Sequence, residues 1–575
     1  MLSGKASLVD PTRIGLALVG LMWVFPFLHP QHQYPLTTFD QEWLSALLGV
    51  SVAALLLHGR LMLPRIALLP VALIGVLLLQ AALGMMAYLD QAWLYLMYLL
   101  FALLLMVLGA GLRDRIGLER LSVALAFFLL AGTELNALLG VLQQYRWHTP
   151  FDAFVVVKVG AGVYGNLAQR NHFADYIVLG LVSLGLLLQM NRLPKGWGVP
   201  LAIPLLFVLT LSGSRSSWLY LIAMLLLALW GARDLLRYCA LLLAGFALMH
   251  GVVQLPFMNG ATESVNTVQR MFGTDESGGI RLYLWHEAWL MFKESPWLGA
   301  GFGQFAWQHF LLGPVLHRTQ LTGLYNNAHN LVFQIAAEAG LIGLAALLVP
   351  LGLWLHGLRR AAMRAPHWWG YALLGVLAIH SLLEYPMWYA YFLAIAAFLL
   401  GAFDRVAWRI EPGRIGRMST ATLLLLGFLS LLQLKIGYQT IRGMLTAQRP
   451  APVAIRVGDW PHAGSVLSPY DVLFENAGRE IGDGRIEDRI AQNGRLMRFI
   501  PTDQVVYRQA FLLAQAGRLE QAKRQLACAI WSYPGEQQAH AQLVSLAEKD
   551  PAHFAALLEF EIQIEQELAS AIHNK

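Results

Sequence analysis

The sequence predicts an all-α polytopic membrane protein with about 13 transmembrane helices. Three observations carry that prediction. Of the 575 residues 57% are hydrophobic and 13% are charged, against about 25% charged in soluble globular chains. The mean hydropathy is +0.53. The apolar residues also fall in blocks long enough to cross a hydrocarbon layer of about 30 Å, which takes about 20 helical residues.

The blocks read in order as spans at 14–28, 43–57, 66–83, 91–111, 119–142, 172–190, 198–212, 216–232, 238–255, 331–357, 369–384, 387–403 and 418–437. Positive residues alternate between the connecting loops. One set carries Lys5 and Arg13, Arg60 and Arg65, Arg113, Arg115 and Arg120, Arg192 and Lys195, Arg233 and Arg237, Arg359, Arg360 and Arg364, and Arg405, Arg409, Arg414 and Arg417. The loops at 29–42, 84–90 and 385–386 carry none. The positive-inside rule therefore places the first set in the cytoplasm. The net charge of +6 follows from this topology and is not a nucleic-acid signal. An odd number of spans puts the tail outside, together with 143–171, the turn near Ser214 and the long loop 256–330. Arg146, Lys158, Arg170, Arg215, Arg270, Arg281, Lys293 and Arg318 lie on those outer segments, where topology disfavours them. Anion binding is the simplest reason for their presence.

Cys239 lies in an apolar span and Cys528 in the polar tail, so neither a disulfide framework nor a cysteine metal site is expected. The start of the chain lacks a small-residue cleavage pattern, and the first span reads as a retained helix. The division expected is a transmembrane domain over 1–440 and a helical extracytoplasmic domain over 441–575. Within the tail, Asp503–Pro534 resembles a tetratricopeptide-like helix pair. Gly517 stands at its turn, Ala522 and Ala529 where close-packed small residues are needed, and Pro534 at the stop. A second unit starts near Glu536. One unit cannot bury its own face, so 471–499 and 554–572 are expected to pack beside it. The tail is either a helical cap on the last span or a docking surface for a protein acceptor.

Five motifs can carry chemistry. Tyr325-Asn-Asn-Ala-His-Asn-Leu331 closes the long outer loop and opens a span that continues through Glu338 and Gly340. Asn327 or Asn330 can cap that helix, and His329 can take a proton from a hydroxyl near neutral pH. The alternative for His329 is a hydrogen-bonded structural residue. Thr210–Ser217 holds Arg215 near the bilayer surface, where it either snorkels or grips a phosphate bidentately. Arg281–Trp289, leading into Pro296–Gly303, has helical spacing and a second candidate phosphate grip in Arg281. Gly165–His172 presents Asn166, Gln169 and His172, to bind sugar hydroxyls or to cap a helix. His380–Tyr389 sets His380 and Glu384 one helical turn apart, a self-satisfying pair or a functional one, with Tyr385 at the outer turn. Asp40 and Glu42 form a candidate carboxylate pair for a divalent cation, supported only by Asp275-Glu276. Glu42 reads more simply as a helix start.

The Tyr325–Leu331 segment with Glu338 and Gly340, the Ser214-Arg215 turn, and the Arg281, Trp285, Pro296, Gly299 and Gly301 pattern together resemble the O-antigen ligase and polymerase superfamily. The resemblance covers most of residues 14–440. Gly165–His172, His380–Pro386, His29–Pro35 and Phe39–Trp43, with the polar tail, are similar to its protein O-oligosaccharyltransferase branch. Arg170 stands where that branch often has proline. The resemblance implies a C-type glycosyltransferase bundle in the bacterial inner membrane, with its chemistry on the periplasmic side. It implies en bloc transfer of an oligosaccharide from undecaprenyl diphosphate to Ser or Thr of a pilin-like acceptor. His329 would be the base, and Arg215 and Arg281 would hold the diphosphate. Gln169 and Tyr385 match positions important in the protein-glycosylating branch, and with Asn166, His172, Asn330 and Glu384 they are the candidate substrate-binding residues. The route is inverting and needs no metal or other cofactor. Two alternatives stay open: a ligase onto lipid A core or a chain polymerase, and a transporter of lipid-linked glycans.

Overall fold

The structure is a computed structural model that describes residues 10–56, 60–255, 258, 276–316, 321–358, 363–446, 466–477, 479–481 and 484–573. Asp275, Arg270, Arg318, Arg359 and Arg360 lie outside the described residues. The helices are α1 (Pro11–Met22), α2 (Phe25–Leu28), α3 (Phe39–Leu56), α4 (Leu68–Ala82), α5 (Leu89–Ile116), α6 (Leu118–Tyr145), α7 (Arg170–Gln189), α8 (Gly198–Leu211), α9 (Ser216–Gly231) and α10 (Leu236–Val252). The long loop 256–330 contains α11 (Glu276–Glu294) and α12 (Phe305–Leu316), and α13 (Leu331–Leu358), α14 (Ala365–Ser381), α15 (Ala390–Phe403) and α16 (Arg414–Thr446) follow it. The tail holds α17 (Ser468–Ala477), α18 (Ile486–Phe499), α19 (Asp503–Gln515), α20 (Leu519–Ser532), α21 (Gln537–Lys549) and α22 (Pro551–His573).

The protein is an all-α, multi-pass membrane protein. Each expected span falls on helical segments, the first on α1 and α2 together. Among the described residues, eight helices are long and apolar enough by themselves to cross a membrane, and three apolar helices are shorter. The chain forms two compact units. The first comprises 1–72, 98–275 and 347–435, and the second 73–97, 276–346 and 436–575.

In the first unit, α7 is the central rod, with every residue from His172 to Leu187 buried. It packs on α6, α8, α9 and α14. Small residues allow the approach: a methyl group on Gly180 would stand 2.0 Å from Thr133 Oγ1, and one on Gly109 would stand 2.1 Å from the Phe398 carbonyl. Lipid supplies no hydrophobic drive between helices, so this close packing holds the bundle. Phe27 stacks on Tyr176 at 4.0 Å, and the Tyr176 hydroxyl donates to the Trp23 carbonyl.

A two-stranded antiparallel ribbon, β1 (Leu61–Pro64) with β2 (Ala407–Ile410), joins two of the basic loops. Strands of four residues leave no periodic signal in sequence, so these segments read as loop. Asp404 accepts from the Ile66 N–H at 2.7 Å, Arg60 pairs with Glu411 at 2.8 Å, and Arg409 reaches Asp114 at 3.3 Å.

In the second unit, α13 is interrupted at Gly340, whose φ is 62°. The Pro296–Gly303 segment runs into the break. Leu341 and Ile342 donate to the carbonyls of Pro296 and Trp297, and Ala300 and Gly301 donate to those of Ala337 and Glu338. Gln80 fastens both sides, donating to the carbonyls of Leu298 and Glu338 and accepting from the Phe302 N–H. Gly299 needs its hydrogen, because a methyl group there would lie 2.3 Å from the Glu338 backbone.

The tail helices share one apolar core with Phe310 of α12. α19 and α20 pack as a pair around the turn at Gly517, with Ala522 and Ala529 fully buried, and α18 and α22 flank them. The Gly323 N–H donates to the Ser532 carbonyl at 2.6 Å, tying the segment before His329 to this core.

Candidate functional site

The first unit carries Asn166, Gln169, His172, Arg215, Glu384 and Tyr385; the second carries Arg281, His329 and Asn330. In the first, Gln169 is the N-cap of α7, its side-chain oxygen accepting from the His172 N–H at 2.6 Å. Arg170 therefore occupies the first helical position, where the N–H has no partner within the helix and proline is also well suited. Asn171, one residue further, donates to Glu384 Oε1 at 2.8 Å and accepts from Ser214 Oγ at 3.0 Å. The start of α7, the end of α14 and the Arg215 turn are thereby joined through one amide. Arg215 itself is the N-cap residue of α9 and half-buried.

Deeper in the same seam, His380 Nδ1 lies 2.9 Å from the Tyr220 hydroxyl, and His172 sets its ring against those of His380, Tyr389 and Phe392. Tyr385 stacks on Tyr389 at 5.7 Å. Burial raises the Tyr385 phenol above its ordinary value, which keeps it a neutral donor. Asn166 is buried, and its side chain is spent on the backbone: it donates to the carbonyls of Leu28 and Phe154 and accepts from the Val156 N–H. His32, in the loop before α3, reaches the Asn166 carbonyl at 2.8 Å.

In the second unit, Asn330 caps α13, its side-chain oxygen accepting from the N–H groups of Val332 and Phe333. Asn327 takes a different task and accepts from the His329 N–H at 2.8 Å. His329 is half-buried with φ 51°, a left-handed conformation uncommon outside glycine. Gln334 reaches back to accept from the Ala328 N–H. The turn before α13 is thus held at three consecutive residues. Leu284 and Ala288 of α11 share a small apolar core with Ala328 and Ala337, and Trp285 stacks on Phe333 at 5.5 Å. Arg281 stands one turn before Trp285 on the same face.

Sequence reasoning assigned no role to Asn171, Tyr220, Glu287, His309 or Gln334. Glu287 Oε2 and His309 Nδ1 lie 2.7 Å apart and both side chains are buried. The His309 ring meets Tyr325 edge-on at 5.4 Å. Burial, then the Glu287 charge, raises the Tyr325 phenol. Asn171 and Glu287 stand inside motifs that were legible; their partners were not. The carboxylates considered for a metal have other partners. Asp40 bonds to Lys435, and Glu42 accepts from Thr38, Tyr98 and the Ala390 N–H.

Three protein families match consecutive stretches of the chain. A family described as protein glycosylation ligase covers 163–188, O-antigen ligase covers 200–348, and virulence factor membrane-bound polymerase, C-terminal, covers 368–548. A general O-oligosaccharyltransferase of Acinetobacter baylyi is 27% identical over 399 residues, covering 67% of this chain and 68% of that protein. The fold and these matches support a membrane enzyme of the glycosyltransferase type, similar to the O-antigen ligase and polymerase superfamily. Within that superfamily, the chain is similar to protein glycosylation ligases over 163–188 and to a general O-oligosaccharyltransferase over 399 residues.

Proposed function

We propose that the enzyme transfers an oligosaccharide en bloc from undecaprenyl diphosphate to Ser or Thr hydroxyls of periplasmic acceptor proteins such as pilin. The acceptor oxygen attacks the anomeric carbon as the bond to the diphosphate breaks. The electron pair leaves with undecaprenyl diphosphate, and the hydroxyl proton passes to His329. Attack opposite the leaving group inverts the anomeric centre. Arg215 and Arg281 stabilise the charge that grows on the diphosphate in the transition state. Gln169, His172, Glu384, Tyr385, Asn166 and Asn330 shape the substrate-binding surfaces, the last two through the backbone they hold. No metal takes part. The enzyme lies in the bacterial inner membrane with residues 441–575 in the periplasm, and the tail presents a surface for the acceptor.

One observation carries this reading. The stretch that matches protein glycosylation ligases is joined through Asn171 to Ser214, next to Arg215. The stretch similar to protein glycosylation ligases thus adjoins the turn that carries Arg215, the proposed phosphate grip. The matches to O-antigen ligase and to a membrane-bound polymerase favour a second reading, transfer to lipid A core or to a growing chain. Mass spectrometry of secreted and pilus proteins, with and without this gene, separates the two. A glycan on Ser or Thr that vanishes with the gene supports protein transfer. Unchanged protein glycans with an altered lipopolysaccharide sink it.

A further inference from the structure

The loop between α6 and α7 turns large apolar side chains outward. Trp147, Phe151, Phe154, Val157 and Val159 are 58%, 62%, 59%, 80% and 81% exposed. A soluble loop of this length would hide such residues or replace them with polar ones. Its tip carries few charges, and Asp152 is occupied by the Thr149 N–H and His148.

The backbone of this loop is satisfied from within. Gln143 and Asn166 hold the carbonyl and N–H of Val156, and Asn166 also holds the Phe154 carbonyl. The Tyr164 hydroxyl accepts from the Val159 N–H and donates to the Val157 carbonyl. Lys158 turns inward to Gln144 at 2.6 Å. Non-helical backbone is tolerated at membrane depth only where its polar groups find protein partners. This loop meets that condition at Phe154, at the Val157 carbonyl and at the Val159 N–H.

Its position agrees. From Arg120 to Tyr145 α6 rises about 38 Å at 1.5 Å per residue, close to the ~40–45 Å of a bilayer with its headgroups. The loop therefore leaves α6 at headgroup level and returns to α7 at the same level. An exposed stripe on α6, Phe127, Leu135 and Leu138, leads up to it, so the apolar tip continues a lipid-facing surface. The loop's base is also tied to the Arg215 turn: Val163 donates to the Leu211 carbonyl at 3.1 Å, and a methyl group on Gly162 would stand 2.8 Å from the Ser212 carbonyl.

We propose that residues 147–159 form an interfacial anchor that dips into the leaflet on the side of the Arg215 turn. Its partner is the acyl-chain boundary of the bilayer. Through its base it sets the depth of Arg215 relative to the headgroup phosphates. That second part rests on the proposed binding of a lipid-linked diphosphate; the insertion itself does not.

The test uses the full chain in lipid nanodiscs, with Cys239→Ser and Cys528→Ser as background. Phe154→Cys or Val157→Cys is labelled with an environment-sensitive fluorophore. Insertion predicts strong quenching by lipids carrying a doxyl group near the headgroup and protection from aqueous iodide. Iodide access without doxyl quenching overturns the anchor, including the outcome in which the loop docks a soluble protein instead. For the depth-setting part, Phe154→Ser with Val157→Ser is compared with the parent in glycan transfer. The expectation is a roughly tenfold loss at low donor, recovered at saturating donor. Equal transfer at every donor concentration, with the parent loop inserted and the variant loop not, overturns that part. If the parent transfers no glycan, the functional reading fails while the labelling result stands.

Discussion

His329 combines a titratable ring with a backbone angle that a β-carbon resists, and such strain persists only where surrounding bonds over-determine it. Asn327, Asn330 and Gln334 supply those bonds. His329→Ala should lower transfer by about 10²–10⁴-fold, the usual range for removing a general base, with membrane content unchanged. Full activity in that variant would remove the base from the scheme. Arg215→Ala should lose about 10²–10³ in turnover, and Arg215→Lys less, because the point charge remains while the bidentate fork is lost. Equal losses would argue against a bidentate grip. Lys158 gives a pH signature. Its ammonium is pushed down to about 8, first by burial and then by Arg146, below the ordinary value of about 10.4. The folded state then binds fewer protons than the unfolded state between those values. Stability should rise with pH from about 8 to about 10.4 and be flat in this respect below 8. Thermal unfolding of Lys158→Gln in detergent should lack that rise; parallel curves would show that Lys158 does not titrate there.

At the scale of elements, the chief device is the break in α13. Its positive φ and the carbonyls of Pro296 and Trp297 leave no room for a side chain at Gly340. Gly299→Ala should cost about 1–3 kcal/mol from the left-handed angle alone, more from contact with the Glu338 backbone, and should disturb the turn at His329. A differential-scanning measurement showing wild-type stability would contradict the described junction. Glu287→Ala leaves the buried His309 Nδ1 without its acceptor and should cost about 1–3 kcal/mol, with transfer falling through misplacement of Tyr325. The apolar helices and their order were legible in sequence because hydropathy and local spacing decide them. The helix cap was readable as Asn327 or Asn330, and the structure chooses Asn330. The junction at Gly340, the Asn171 link and the Glu287–His309 pair were not legible. Each joins residues far apart in the chain, and no local period records such a meeting.

For the whole molecule, the compact units cut across the expected boundary between spans and tail. The tail helices share a unit with Arg281 and His329, and Gly323 is bonded to Ser532. Removing residues 466–575 should therefore expose the 321–330 segment to limited proteolysis and abolish transfer; unchanged cleavage and activity would show the tail to be dispensable. Chelation should leave transfer intact, since Asp40 and Glu42 already have protein partners, and a large loss would restore the metal reading. The small ribbon bears on biogenesis. Leu61 pairs with Ile410, and at about 5–20 residues per second the ribosome reaches the later strand roughly 17–70 s after the earlier one. The amino-terminal helices must wait in the translocon's neighbourhood for that long with one edge unclosed, so the clasp shuts only when nearly the whole bundle has been made.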